Sequence, residues 1–182
     1  MQNEVMFAGF GGQGILSSAK ILAYAAMEAG YEVVWIPSYG PEMRGGTAYC
    51  MVVVSDRPIG SPIIRNPRHL VAMNRPSLEK FAPFVKPGGV VLINGSLIPV
   101  RSGRDDVDEL VVPVNEIAVE AGSVRSANIV ALAAFVARSE IVDPAKVRQA
   151  VEKEFEKKAK LIPVNLDAFD RGVAAAKESE KV

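Results

Sequence analysis

The stretch Gly9-Phe10-Gly11-Gly12-Gln13-Gly14 separates a short apolar run, residues 5–8, from a long helical pattern that begins at Ile15. Glycine loses more conformational freedom on folding than other residues. Four glycines in six residues therefore indicate backbone with positive φ or a close approach by another group. A loop between a strand and a helix leaves the first N–H groups of the helix unpaired, at the positive end of its dipole. The stretch predicts a strand–turn–helix unit whose turn can hold an anion such as phosphate.

The glycine turn has several interpretations. The spacing of Gly9, Gly11 and Gly14 matches the dinucleotide fingerprint, in which the second strand normally ends in an acid that bonds the ribose. Here the second strand, residues 32–36, carries its only acid, Glu32, at the opposite end, which disfavours a nicotinamide or flavin site. A P-loop is excluded because Ile15-Leu16 follows Gly14 where Lys and Ser/Thr are required. The alternative is a purely structural role, in which the glycines only form a close strand-to-helix turn.

Length and composition are those of one α/β domain. The chain has 182 residues, 49% of them hydrophobic and 23% charged, and we expect a single domain over residues 1–182. Basic and acidic residues balance at 21 each, so no overall charge attracts nucleic acid or an anionic membrane surface. The N-terminus lacks a basic region and no apolar run approaches about 18 residues. We therefore expect a soluble, cytoplasmic protein.

The chain has one cysteine and one histidine. Cys50 lies in the apolar run 48–54 and has no partner for an internal disulfide or an iron–sulfur cluster, so we expect a small buried hydrophobic residue. His69 has no cluster of metal-binding side chains beside it in the sequence. No metal site is predicted for this chain.

A second unusual segment follows the second strand. Residues 37–46 contain two prolines and three glycines among ten residues, a composition that packing alone does not require. Ser38, Tyr39, Glu42 and Arg44 offer a hydroxyl, a phenol, a carboxylate and a guanidinium on this stiff loop. A loop of this chemistry beside the glycine turn favours a binding surface. The alternative is a connector held by a Glu–Arg or Arg–backbone bond.

Hydrophobic periodicity predicts the regular elements. Apolar runs predict strands at residues 5–8, 32–36, 47–55, 69–73, 90–93 and 109–114. Helical spacing predicts one helix from Ile15 to a stop at Gly30 and others at residues 78–85, 115–121, 128–138, 145–160 and 165–177. Residues 56–64 predict a turn-rich excursion or a short edge hairpin. Asn74, which follows the fourth strand, is either a ligand donor or a helix cap.

These elements predict a single three-layer α/β/α domain with a mainly parallel sheet and at least one antiparallel edge. The first strand, first helix and second strand should form a βαβ unit with a right-handed crossover. The fold is Rossmann-like without being a true dinucleotide fold, because the ribose-binding acid is missing.

Four sequence features taken together resemble the gamma subunit of the 2-oxoacid:ferredoxin oxidoreductases. They are GFGGQG at 9–14, SYGPEMRGG at 38–46, Asn128 before an alanine- and leucine-rich helix, and NLDAFDRG at 165–172. The resemblance covers nearly the whole chain. One departure is Leu132-Ala133-Ala134, where the family usually has a leucine-glycine-alanine run.

The resemblance implies a subunit of a larger enzyme that oxidatively decarboxylates a 2-oxoacid, transfers the acyl group to coenzyme A and passes two electrons to ferredoxin. It implies thiamine diphosphate with Mg between alpha and beta subunits, and iron–sulfur clusters in the beta or the ferredoxin-like delta subunit. The gamma chain would hold none of these groups and no catalytic residue. An isolated chain should expose an apolar patch meant for partners and self-associate through it.

The resemblance further implies a structural subunit that forms a wall of the coenzyme A site. The glycine turn and Arg44 are suited to the phosphates of coenzyme A. The candidate residues are Gly9, Gly11, Gly12, Gln13, Gly14, Ser38, Tyr39, Glu42, Arg44 and Gly45. The same residues could instead lock the loop against the alpha subunit. Two other functions stay open, namely an indolepyruvate-type oxidoreductase subunit and a free-standing nucleotide-binding α/β enzyme.

Overall fold

The computed structural model describes residues 1–38, 47–61 and 63–179. These residues form a six-stranded sheet of order β2-β3-β1-β4-β5-β6. The strands are β1 Gln2–Phe10, β2 Glu32–Pro37, β3 Thr47–Ser55, β4 His69–Ala72, β5 Val90–Asn94 and β6 Asp108–Val112. The helices are α1 Ile15–Glu28, α2 Arg75–Phe81, α3 Val114–Glu120, α4 Ala127–Ser139, α5 Pro144–Glu154 and α6 Ile162–Glu178. Short 3-10 turns cover Ala82–Phe84, Val124–Ser126 and Glu156–Leu161.

The predicted α/β class with a mainly parallel, mixed sheet and one antiparallel edge is confirmed, because the edge strand β2 pairs antiparallel with β3. Strands β1, β4, β5 and β6 are parallel to one another. Strand β3 runs antiparallel to both β1 and β2 and lies between them. Strands β1 and β2 therefore point the same way, as expected for the βαβ unit, but they are not neighbours. Strand β3 fits this inner position because it is mostly buried.

Several element boundaries differ from the predicted ones. No strand forms in residues 56–61 or 63–68, so the structure shows no edge hairpin in the described part of that excursion. The helix predicted to end at residue 160 ends at Glu154, because the following residues are charged and exposed and have no packing surface to hold a helix. The last helix starts at Ile162, earlier than predicted, with a proline in its first turn.

The two faces of the sheet are covered unequally. Alternate residues of β1 point to opposite faces, with Val5 and Phe7 on one side and Met6 and Ala8 on the other. The first face packs against α1, α3, α4, α5 and α6, whereas the second packs against α2 and the turn that follows it. Helix α4 is buried along residues 127–136 because α6 packs on it. A side chain at Gly172 of α6 would meet the Val130 carbonyl oxygen at 2.5 Å, which shows how close the two helices are.

Two neighbouring parallel strands are followed by helices that lie on opposite faces of the sheet. Strand β1 continues into α1 on the first face, and its parallel neighbour β4 continues into α2 on the second. Such a switch point opens a crevice at the carboxyl ends of the strands, where open α/β sheets bind ligands. The glycine turn lies at this position.

Candidate functional site

The glycine turn leaves the N-terminus of α1 without a side-chain cap. Gly12 and Gly14 have φ of 91° and 74°, in the left-handed region that suits glycine. Gly14 is the N-cap residue, no side chain accepts a hydrogen bond from the helix start, and the first turn contains no acid. The N–H groups of residues 15–17 have no intrahelical partner by position. The turn can therefore receive an anion at the positive end of α1.

Gln13 lies across the switch point and joins the ends of β1 and β4. Its Oε1 accepts from the Phe10 N–H at 2.7 Å and from Asn74 Nδ2 at 3.2 Å, and its Nε2 donates to the Met73 carbonyl oxygen at 3.2 Å. A Cβ added at Gly9 would lie 2.7 Å from Gln13 Oε1 and 3.0 Å from Met73 Cβ, so a larger residue there would displace the Gln13 carboxamide. The carboxamide of Gln13 is thus engaged in holding the turn.

Carboxamide side chains continue this network along the sheet edge. Asn74 caps α2 through its Oδ1, which accepts from the Ser77 N–H at 2.9 Å, so the helix-cap interpretation is confirmed. Asn94 is fully buried and donates through Nδ2 to the Met73 carbonyl oxygen at 3.2 Å and to Asn115 Oδ1 at 3.0 Å. Sequence reasoning gave Asn94 and Asn115 no role, although each lies at or just after the end of a strand. That shared position was the available signal.

Asn128, at the start of α4, holds the glycine turn from the other side. Its Nδ2 donates to the Gly14 carbonyl oxygen at 3.1 Å, and its own carbonyl oxygen accepts from Ser18 Oγ at 3.0 Å. A side chain at Gly14 would meet Asn128 Cγ at 2.6 Å. Two hydrogen bonds therefore join the first turns of α1 and α4.

Two cavities open beside the turn. The α4 crevice, of about 450 Å³, is lined by Gly12, Gln13, Gly14, Ser17, Met73, Asn115, Val124, Arg125, Ala127, Asn128 and Phe155. The β3 crevice, of about 310 Å³, is lined by Gly11, Gly12, Gly14, Ile15, Leu16, Ser17 and Ala48. The glycine turn is the wall that the two cavities share. A ligand held by this turn can therefore lie on either side of it.

The second predicted site segment is described only at its start. Ser38 follows β2 and donates its N–H to the Tyr49 carbonyl oxygen at 3.1 Å. Tyr39, Glu42, Arg44 and Gly45 lie outside the described residues. The flanking strand ends, Pro37 and Thr47, lie at the same edge of the sheet as the glycine turn, because Thr47 pairs with the last residue of β1.

The single cysteine and histidine are structural groups. Cys50 is buried as predicted, and burial raises the pKa of its thiol to about 12. Burial lowers the pKa of His69 to about 4. Its Nδ1 accepts from the Val90 N–H at 3.0 Å, and its Nε2 lies 3.3 Å from Asn3 Oδ1. Among residues 1–38, 47–61 and 63–179, no three His, Cys, Asp or Glu side chains are grouped to hold a metal ion.

Within the part of the chain that the structure describes, every helix is too short or too polar to span a bilayer.

The family model and the relatives that this chain matches all name 2-oxoacid oxidoreductases. The family model for pyruvate ferredoxin/flavodoxin oxidoreductase matches residues 4–175. The ketoisovalerate oxidoreductase subunit VorA of Methanothermobacter thermautotrophicus is 41% identical over 97% of this chain, but the match covers 37% of VorA. The chain thus spans little more than a third of that curated relative. The 2-oxoglutarate synthase subunit KorC of Methanocaldococcus jannaschii is 36% identical, with 98% of this chain and 96% of KorC covered.

Solved structures agree with the fold. The gamma subunit of the keto/oxoacid ferredoxin oxidoreductase from Geobacter sulfurreducens has a TM-score of 0.86 and 29% identity, with 97% of this chain and 99% of that one covered. The 2-oxoglutarate:ferredoxin oxidoreductase of Magnetococcus marinus, solved with 2-oxoglutarate, coenzyme A and succinyl-CoA bound, has a TM-score of 0.87 and 29% identity. That comparison covers all of this chain and 32% of the Magnetococcus chain.

Proposed function

Because the chain belongs to the pyruvate ferredoxin/flavodoxin oxidoreductase family, we propose that it is the gamma subunit of a 2-oxoacid:ferredoxin oxidoreductase. The complex would decarboxylate a 2-oxoacid oxidatively, form the acyl-CoA and reduce ferredoxin. The observation that carries this proposal is the near end-to-end match to both KorC and the Geobacter gamma subunit. The same matches favour this function over a free-standing nucleotide-binding enzyme.

The glycine turn and the segment after β2 form a wall of the coenzyme A site in this proposal. Gly11, Gly12 and Gly14 bring backbone N–H groups to a phosphate at the start of α1, while Gly9 and Gln13 hold the turn in place. Ser38, Tyr39, Glu42, Arg44 and Gly45 complete the wall, with Arg44 as a bidentate partner of a phosphate. The bound coenzyme A of the Magnetococcus relative supports this assignment.

The remaining groups of the reaction belong to other subunits in this proposal. Alpha and beta subunits hold thiamine diphosphate and Mg, and the beta or a ferredoxin-like delta subunit holds the iron–sulfur clusters. The residues of this chain do not suit such a cluster, because clusters are held by several cysteine thiolates and the chain has one cysteine. We propose one domain over residues 1–182 that works in the cytoplasm, with the oxoacid chosen by the partner subunits.

Two experiments test the proposal. The tagged chain, purified from its native cell, should bring thiamine-dependent alpha and beta chains and a ferredoxin-like chain with it. A chain that purifies alone and carries a bound nucleotide would contradict the subunit role.

In the reconstituted complex, Arg44→Ala should raise the KM for coenzyme A while the subunits stay assembled. Loss of assembly instead would show that the segment is a subunit contact.

A further inference from the structure

One edge of the sheet is an open strand with an apolar middle. Strand β2 ends the sheet, and β3 is the only strand among the described residues that pairs with it. Edge strands are usually protected from other chains by lysines, bulges or prolines. The strand reads EVVWIP, so it has no lysine, and its proline and its one charge lie at its two ends. Its middle residues, 33–36, are therefore open to pairing with a further strand.

The hydrogen-bonding groups that face outward follow from the β2–β3 ladder. The Ser38 N–H donates to the Tyr49 carbonyl oxygen at 3.1 Å, in the same register as the rest of the ladder. In an antiparallel ladder, hydrogen-bonded pairs alternate with pairs whose N–H and C=O groups point away from the partner strand. Even-numbered residues of β2 therefore bond to β3, whereas the N–H and C=O groups of Val33 and Trp35 point outward. Pro37, which has no N–H, also falls in the outward set.

The side chains beside this edge form an apolar groove. A cavity of about 320 Å³ between α1 and β2 is lined by Lys20, Ala23, Tyr24, Met27, Val33 and Trp35. Tyr24, Met27 and Trp35 are 50%, 56% and 40% exposed, and residues of these types are enriched at protein interfaces. The groove and the open strand edge form one surface, because Val33 and Trp35 belong to both.

The charges around the groove allow a second copy of the same surface to approach. Among the described residues that line the groove, the only charge is Lys20, which lies 3.0 Å from Glu154 Oε2. Beside it, Lys153 pairs with Glu28 at 2.5 Å. The remaining charge on β2 is Glu32, its first residue. Two antiparallel copies of β2 keep their Glu32 carboxylates at opposite ends of the contact, so like charges do not meet.

We propose that the β2 edge joins two copies of this chain about a two-fold axis at Val34, so that their sheets become continuous. In this register, Val33 of each copy pairs with Trp35 of the other, and the outward N–H groups of both residues find carbonyl oxygens. Each indole lies beside the valine of the other copy, an aromatic–β-branched pair of the kind that stabilises sheets. Tyr24 and Met27 of the two α1 helices meet beside these pairs. The inference does not depend on the proposed function.

The length of the contact sets the expected affinity. The six residues of β2 extend about 20 Å, and the 14 residues of α1 extend about 21 Å beside them. A contact of one strand and one helix from each copy lies at the low end of the size range of specific interfaces. We therefore expect a dimer with a Kd of about 1–100 µM.

Sedimentation of the purified full chain over that concentration range tests the dimer. Trp35→Lys should weaken dimerisation by about 30-fold or more, because it removes a central aromatic residue and places a lysine on the edge. Phe84→Lys is the matched control, since Phe84 is also an aromatic residue, 50% exposed, but lies in the turn after α2. It should leave the Kd unchanged, and urea titrations show that both variants are folded.

Disulfide cross-linking tests the register. Val34 would lie opposite Val34 of the other copy in a non-hydrogen-bonded pair, where Cβ atoms are about 4.5–5.5 Å apart and a disulfide needs little movement. Val34→Cys should therefore give a covalent dimer on mild oxidation. Ile36→Cys is the matched control on the same face of β2 and should not, because the two cysteines would lie about 14 Å apart along the strands. The native Cys50 is buried and does not interfere.

Hydrogen exchange of the wild-type chain gives a readout that needs no variant. The N–H groups of Val33 and Trp35 should exchange more slowly as the protein concentration rises, whereas those of Val34 and Ile36 should be protected throughout. A chain that stays monomeric over the range, or a dimer that Trp35→Lys does not weaken, overturns the inference. Cross-linking of Ile36→Cys as readily as Val34→Cys overturns it as well. Protection of Val33 and Trp35 only in the assembled enzyme would assign the edge to another subunit and equally overturn it.

Discussion

Replacing Gly14 with alanine tests how the glycine turn is held against α4. Two separate costs are expected, because Gly14 has φ of 74° and its added Cβ would lie 2.6 Å from Asn128 Cγ. Gly12 is the matched control. It also has positive φ, at 91°, but a Cβ there meets no atom within 4 Å.

The two glycines therefore separate backbone strain from steric contact. Gly12→Ala should lower the free energy of unfolding by about 1–2 kcal/mol, the cost of left-handed backbone. Gly14→Ala should add an overpacking cost of about 1–3 kcal/mol, for a total of about 2–5 kcal/mol. Urea titrations of both variants, followed by circular dichroism, measure the difference.

A double-mutant cycle identifies the contact. If Asn128 causes the extra cost, the double variant Gly14→Ala, Asn128→Ala should be more stable than the sum of the single changes predicts, by about 1–3 kcal/mol. The reasoning is refuted if Gly14→Ala costs no more than Gly12→Ala. It is refuted equally if the single effects simply add.

Three further predictions concern the buried groups. Burial holds the pKa of His69 at about 4 in the folded chain, below its ordinary value of 6.5, so unfolding takes up a proton between these two pH values. The free energy of unfolding should then fall by about 3 kcal/mol as the pH is lowered through that window. Urea titrations at several pH values measure this fall. A His69→Gln variant whose free energy of unfolding falls as steeply with pH as that of the wild type would contradict the prediction. Cys50 should react with a thiol reagent only after unfolding, since burial raises its pKa to about 12, and labelling at equal rates with and without urea would refute it. Gly172→Ala should lower the free energy of unfolding by about 1–3 kcal/mol, because its Cβ would meet the Val130 carbonyl oxygen. A thermal melt detects this loss. Gly60→Ala is the control and should show no such loss, since a Cβ there meets nothing within 4 Å.

Local features of the fold were predictable because their causes are local. The apolar run before Gly9 and the helical spacing from Ile15 required a strand, a turn and a helix in that order. The cap of α2 followed from Asn74 before Pro76, and the burial of Cys50 followed from its apolar run. The motifs at residues 9–14 and 38–46 pointed to the family, because two such unusual sequences rarely occur together in one chain.

The sequence by itself therefore determined the elements, the glycine turn and the family, but only the tertiary structure decided which elements meet. Periodicity reports how deeply a strand is buried and not which strand it pairs with, so the place of β3 between β1 and β2 was not predictable. The contact between Asn128 and Gly14 spans 114 positions, and that between Asn94 and Asn115 spans 21. Such contacts exist because the parallel strands bring their carboxyl ends to one edge, where distant polar side chains must find partners in one another.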